Sequence, residues 1–433
     1  MSAPVKKREI FGWAMFDFAN SSYTTVVITA IYSAYFTEAV VPAGSSVRDS
    51  YWSLAMVIST GLALVLSPLA GAISDKRGRK KPYLLGTTLV CSLATALLAV
   101  VGPGDVALGI AVIVVSNAAF MLSESFCGSF LPELSTPENM GRISGLGWGL
   151  GYFGGLASLA MVKVIVGDKG MVEANGEIHL AMLATGAFFL VAALPTLVLV
   201  RDRGRPQPGF ESASMGRLAQ AGFQELLGAF RTARAHPILF RFFLAFMVYM
   251  AGLEAVIKFV GIYARAELAM TTGDITIMFL VLQISAAAGA LGFGVVESKL
   301  GPRRTVLLTL GLWVVAILAI FWLRPIAAAI GAPPQTTFIG ISLLAGTNIG
   351  ATQSSSRTVV GLLAPAERSA EMFGFWGTFS RLGTILGMSF GVASDLLASR
   401  QLALLLVVLF FAVGAAMLAR IPIDEAAKAR GNV

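Results

Sequence analysis

Long apolar runs alternate with short polar stretches along the whole of this chain. A membrane-spanning helix needs about 20 apolar residues, and the pattern predicts twelve such runs. They fall at 10–38, 50–73, 82–101, 106–130, 142–166, 179–200, 237–263, 275–297, 304–323, 336–360, 372–395 and 400–420. An even number of crossings puts both termini on one side of the membrane. The longest internal connection, 201–235, opens with R-D-R-G-R-P-Q-P. It then spaces Met215, Leu218, Phe223, Leu226, Leu227 and Phe230 along one helical face, with Arg217, Arg231 and Arg234 beside them. Such a helix lies on the inner leaflet. The expected fold is an all-α membrane protein of twelve transmembrane helices in two six-helix pseudo-repeat halves, 1–200 and 236–433, joined by the linker 201–235.

Composition agrees with that reading. The 433 residues are 56% hydrophobic and 13% charged, with a mean hydropathy of +0.78; soluble domains carry about 25% charged residues. The net charge of +8 would suit a nucleic-acid binder, but its distribution argues otherwise. Of the 32 Lys and Arg residues, 24 fall in the cytoplasmic segments and six in the external ones, with Lys258 and Arg381 inside spans. This is the positive-inside bias; it places both termini in the cytoplasm. Cys91 and Cys127 lie inside apolar runs, so no disulfide framework or thiolate metal site is indicated. Lys6, Lys7 and Arg8 precede a run too long and too polar in its middle for a cleaved signal, so the segment reads as an uncleaved first helix.

Two repeated features carry more information. The hairpin Gly71–Pro82, G-A-I-S-D-K-R-G-R-K-K-P, packs five cations around Asp75, with Gly71 and Gly78 permitting tight backbone. Its counterpart in the second half keeps the glycine spacing, Gly294 to Gly301, and then Arg303 and Arg304, but has Ser298 where Asp75 stands. The fifth helix repeats glycine every four residues at Gly147, Gly151 and Gly155, and the eleventh does so at Gly383, Gly387 and Gly391. The eighth offers Ala286, Ala290 and Gly294 on the same plan. Small-residue faces let helix backbones approach closely in lipid; here they are expected to let two rigid halves rock against each other.

Ionisable groups at membrane depth cost about 2.5–3.5 kcal/mol each on insertion scales and so mark candidate sites. Asp17, Asn20, Ser21 and Thr24 fall at i, i+3, i+4 and i+7 of the first helix, a polar face that lipid cannot satisfy. Glu124 on the fourth helix is at similar depth to Asp17. On the seventh helix Glu254 and Lys258 stand at i, i+4, in the order favouring an ion pair. Arg381 has no partner on its own helix, and the tenth helix ends N-I-G-A-T-Q-S-S-S-R, which includes Asn348 and Gln353. Trp13, Trp148, Tyr152, Tyr249 and Trp376 either line a site or anchor the chain at the interface.

The pattern G-x-x-x-D-x-x-G-R-K of the first hairpin resembles the signature loop of the major facilitator superfamily. W-A-M-F-D-F-A-N-S-S-Y, L-P-E-L-S-T-P-E-N-M-G-R-I-S-G-L-G-W-G-L-G-Y-F-G-G and T-Q-S-S-S-R narrow the resemblance. They look like the branch containing the fungal vacuolar amino-acid effluxer of autophagy and its bacterial relatives. The resemblance implies a cavity lined by helices 1, 4, 7 and 10. It also implies a cytoplasmic charge clamp at Asp75 and Arg79, with Glu133 as a partner for Arg79. The function expected is secondary active transport of a small solute by alternating access, coupled to protons, with amino-acid or amino-acid-like efflux as substrate class. Exporters of drugs or lipid-like molecules and importers of peptides or sugars are the alternatives among transporters. An embedded enzyme lacks its usual resources, since only His179 and His236 occur and no metal-ligand cluster or P-loop is present. No cofactor or nucleic-acid partner is expected, and a monomer is.

Overall fold

A computed structural model describes residues 6–134, 140–167, 169–203, 216–217, 220, 236–363 and 369–429. Every regular element among them is helical. The long helices are α1 (Lys7–Ser22), α2 (Arg48–Arg77), α3 (Lys81–Leu97), α4 (Val106–Gly128), α5 (Met140–Val166), α6 (Asn175–Leu199), α7 (Pro237–Leu268), α8 (Thr272–Leu300), α9 (Pro302–Phe321), α10 (Pro334–Leu363), α11 (Ser369–Gly387) and α12 (Arg400–Ala419). The linker and its expected surface helix lie almost wholly outside the described residues.

Local sequence accounts for the boundaries. Prolines open α3, α7 and α9 within the first two positions, where their missing N–H has no intrahelical partner to lose. Thr271 and Asp274 cap α8 reciprocally, and Ser399 accepts from Leu402 N at 3.2 Å to start α12; such caps contribute about 1 kcal/mol each. Gly78 ends α2 at φ +62°, a left-handed turn that a side chain would strain.

Among the described residues nine helices are long and apolar enough to cross a membrane. A tenth is added if the short helix Leu323–Ile330 and α10, bent by 108° at their junction, count as one span. The other two expected runs, the first and the eleventh, are helical but broken. The first continues past α1 through Tyr23–Ala30 and Phe36–Val40, where the backbone bonds i to i+5, as in Ile31 N to Val26 O at 3.1 Å and Val41 N to Phe36 O at 2.9 Å. Such wide turns recur at functional sites. The eleventh breaks after Gly387 and resumes as Ser389–Leu396.

The chain divides into two compact units, residues 1–45 with 54–227, and residues 46–53 with 228–433. In the first unit α1 packs on α5 and α6, and α3 on α4 and α6. In the second α7 packs on α11 and α12, α9 on α10 and α12, and α8 on α10. Each core is apolar, with Phe16, Phe36 and Phe189 buried in the first and Phe242, Phe243 and Trp313 in the second.

Most glycines of these faces meet a neighbouring helix of the same unit, while Gly391 meets Ser53 and the Asp49 carbonyl at the start of α2. Side chains added at Gly147, Gly151 and Gly154 of α5 would strike Asp17, Ser21 and the Phe18 carbonyl of α1. At Gly383 and Gly387 of α11 they would strike the Met247 and Ala251 carbonyls of α7. Ala286 of α8 likewise meets Gly350 of α10. Glycine here brings neighbours of one unit within backbone contact, where van der Waals packing has to replace the hydrophobic drive that lipid removes.

Candidate functional site

In the first unit, Asp17 lies half-buried on α1 over Gly147, and Ser21, one turn later, lies over Gly151. Asp17 makes no hydrogen bond or ion pair with any described residue. Asn20 is buried, and Thr24 donates to Ser21 O at 3.2 Å. Glu124 is exposed, yet it and Asp17 both act electrostatically on the Cys127 thiol, so the two acids share a neighbourhood. Trp13 Nε1 donates to Cys127 O at 2.8 Å, tying α1 to α4 beside them. Further along, Tyr23 Oη meets Ser116 Oγ at 2.9 Å, and Asn117 Nδ2 donates to Ser59 Oγ at 2.7 Å.

In the second unit, Glu254 and Lys258 form the expected pair on α7 at 3.6 Å, both mostly buried. Tyr249 Oη meets Ser356 Oγ at 2.7 Å, joining α7 to α10. Asn348 of α10 is fully buried, and neither its amide nitrogen nor its oxygen has a partner among the described residues. Ser355 Oγ is in the same condition. Buried polar atoms are nearly always bonded, and Asn348 differs from the unbonded buried hydroxyls, such as Thr60 and Thr88, in leaving both a donor and an acceptor without a partner. Gln353 is half-buried, and Arg381, half-buried on α11, is engaged by neighbouring groups. Arg357 lies over the Trp376 ring at 5.5 Å.

The Tyr–Ser bonds repeat one design in two units. Tyr23 with Ser116 joins the first and fourth helices of one; Tyr249 with Ser356 joins the first and fourth of the other. Sequence reasoning missed both. The available signal was a tyrosine and a serine at comparable depth in each half.

The hairpin between α2 and α3 is tied into the first unit by its cations. Gly71 and Gly78 both belong to its α2 side, and Gly78's left-handed turn sends Arg79 to the surface while turning Lys80 inward. Lys80 Nζ pairs with Glu133 at 2.8 Å and donates to Ser129 O at 2.9 Å. Glu133 therefore meets Lys80, and the exposed Arg79 is not its partner. The side chain of Asp75 lies outside the described residues. Asp202 Oδ1 accepts from Lys80 N and Lys81 N, at 2.8 and 3.0 Å, and Lys81 Nζ donates to Val200 O at 2.9 Å just beyond α6. In the second unit Arg303 donates in the same way to Ala419 O at the end of α12. A second pairing not foreseen is Arg203 with Glu9 at 2.6 Å.

Among the described residues, the first unit holds a carboxylate without a hydrogen-bond partner at Asp17, and the second an unbonded carboxamide at Asn348 and a loose ion pair at Glu254 and Lys258. Such groups can exchange a proton or hydrogen-bond a polar solute. A family model described as vacuole effluxer Atg22 like matches residues 39–431. The chain belongs to that family. This Atg22-like chain is 26% identical over 421 residues to an uncharacterized MFS-type transporter, YxiO of Bacillus subtilis (strain 168), covering 95% of this chain and 94% of that one. It is 22% identical over 325 residues to autophagy-related protein 22 of Kluyveromyces lactis, covering 73% and 65%. Among solved structures it resembles a mutant of the nucleoside transporter NupG, with a TM-score of 0.71 at 15% identity over 96% of this chain and 100% of that one. A bacterial homolog of the human lysosomal transporter Spinster gives 0.65 at 15% identity, over 97% and 96%. The fold is that of the major facilitator transporters, and the protein is a multi-pass membrane transporter.

Proposed function

We propose that this Atg22-like protein is a secondary active transporter that exports amino acids or amino-acid-like solutes by alternating access, coupled to proton movement. The carrying observation is Asp17, a carboxylate on α1 with no partner among the described residues, set over Gly147. An ionised carboxylate at membrane depth is costly without a partner, so a group held this way suits a proton carrier. The effluxer description of the family supports export. Asn348, with both amide atoms unbonded, supports a polar solute. In this reading the protein spans a bacterial plasma membrane twelve times as a monomer with both termini cytoplasmic. Asp75 and Arg79 act as the cytoplasmic clamp.

The test uses proteoliposomes and a mixture of radiolabelled amino acids. Asp17→Asn mimics a permanently protonated acid. Counterflow, which moves no net proton, survives in this variant, and uphill transport driven by a pH gradient is lost. Uphill transport at the native rate in Asp17→Asn overturns the assignment.

A further inference from the structure

Helix α10 has one charged residue in its 30, Arg357, six positions before its end. The side chain is exposed and makes no hydrogen bond or ion pair with any described residue. Its guanidinium carbon instead lies 5.5 Å over the Trp376 ring of α11. An aromatic face attracts the cation electrostatically and leaves its five N–H donors available.

The ring under the cation is fixed in turn. Trp376 packs on Phe246 of α7 at 5.7 Å between centroids, and Phe246 meets Tyr249 edge-on at 5.4 Å. Tyr249 returns to α10 through its bond to Ser356, the residue before Arg357. Three helices of one unit thus close a loop of contacts through the arginine. The loop sets where the cation sits and supplies nothing to neutralise it. Glu254, the acid closest to Tyr249 along α7, is already held by Lys258.

An arginine that only marks a span end reaches for headgroups and water, whereas this one is laid on a ring. Gln353 and Ser354 stand one turn before it on the same face, half-buried and exposed. Neutral hydrogen-bonding groups beside a cation suit a water-borne solute that has an oxyanion and further polar atoms. A lipid acyl chain gains nothing from such a face.

We propose that Arg357, seated on Trp376, is an oxyanion site that receives the carboxylate of the exported solute. The assignment rests on the amino-acid reading above and names the group that holds one end of that solute. The planar guanidinium fork matches two carboxylate oxygens, a fit that a lysine ammonium does not reproduce. Gln353 is then placed for the solute's other polar atoms.

The test measures binding of a radiolabelled mixture of L-amino acids to the purified full chain in detergent. Excess unlabelled amino acids displace the label, and the same excess of their α-amides, which lack the carboxylate, leaves it in place. That arm uses the unmutated chain, so it stands even where a variant folds poorly. Arg357→Gln weakens binding by about tenfold or more, and Arg357→Lys and Trp376→Leu weaken it severalfold. Displacement by the amides as readily as by the amino acids overturns the site, as does binding within twofold of the parent in Arg357→Gln; amino-acid transport stands in both cases. Inorganic phosphate and micelles containing phosphatidylglycerol are the second probes, since a free phosphate and a lipid headgroup offer the same oxyanion chemistry. If the parent binds none of the amino acids, the substrate class proposed above falls. Binding of phosphate or phosphatidylglycerol that depends on Arg357 then keeps the oxyanion site and overturns its carboxylate, and binding of neither overturns the site as well.

Discussion

Gly154→Ala measures how tightly α5 is set against α1. The added Cβ lies well inside van der Waals distance of the Phe18 carbonyl. The obstacle is backbone, so no rotamer change relieves it and the two helices have to separate. Overpacking of this kind costs about 1–3 kcal/mol, and the upper end applies where backbone meets backbone. Alanine in a helix regains about 0.8–1.0 kcal/mol of propensity over glycine, so the net loss is about 1–2 kcal/mol. Gly149 on the same helix is the control, since a Cβ there meets nothing within 4 Å. Gly149→Ala should therefore be neutral or stabilising by up to ~1 kcal/mol, giving a gap of about 1–3 kcal/mol between the two variants. In α11 the corresponding comparison sets Gly387→Ala, which meets the Ala251 carbonyl, against Gly377→Ala, which meets nothing. Thermal unfolding of all four in detergent tests the reasoning. Equal midpoints for Gly154→Ala and Gly149→Ala would refute the claim that these glycines are contact surfaces within a unit.

Lys80→Met should lower the unfolding midpoint, since it leaves the mostly buried Glu133 carboxylate unpaired at a cost of about 1–3 kcal/mol, while Arg79→Ala, at an exposed position, should leave it within ~0.5 kcal/mol; similar midpoints for the two would return Glu133 to Arg79. For the Tyr–Ser bonds, a double-mutant cycle of Tyr249→Phe and Ser356→Ala should show a coupling of about 1 kcal/mol. The Tyr23→Phe and Ser116→Ala cycle in the other unit should match it, and additive effects in either would mean that the bond contributes nothing.

Sequence alone reached the helical fold, because runs such as 106–128 and 400–419 are apolar enough to leave no other reading, and it reached the family through motifs such as W-A-M-F-D-F-A-N-S-S-Y. The wide-turned continuation of α1 was not legible: it depends on a shift of hydrogen-bond register that no residue type signals. The glycine faces were visible as contact surfaces, but spacing along one helix does not say which helix will be met. Glu254 and Lys258 were legible because both ends of the pair lie on one helix. Asp49 and Arg400, which pair at 2.8 Å, were not, because they are 351 residues apart and stand at span ends, where charge normally reports only topology. Lys80 and Arg79 are adjacent cations in one basic loop, and only the φ of Gly78 decides which turns inward.

The basic hairpins also bear on the order in which the chain is made. Lys81 reaches its acceptor, Val200 O, across 119 residues, and Arg303 reaches Ala419 O across 116. In each case the cation leaves the ribosome four helices before the carbonyl it will hold. A half-made domain thus emerges with its hairpin charges still solvated while the remaining helices insert. Only the sixth helix brings the missing acceptor. Closing so long a loop is entropically little worse than closing one half its length, by about 0.6 kcal/mol, so the late contact can still form. In each unit, then, the contact from Lys81 or Arg303 is completed only at the last helix.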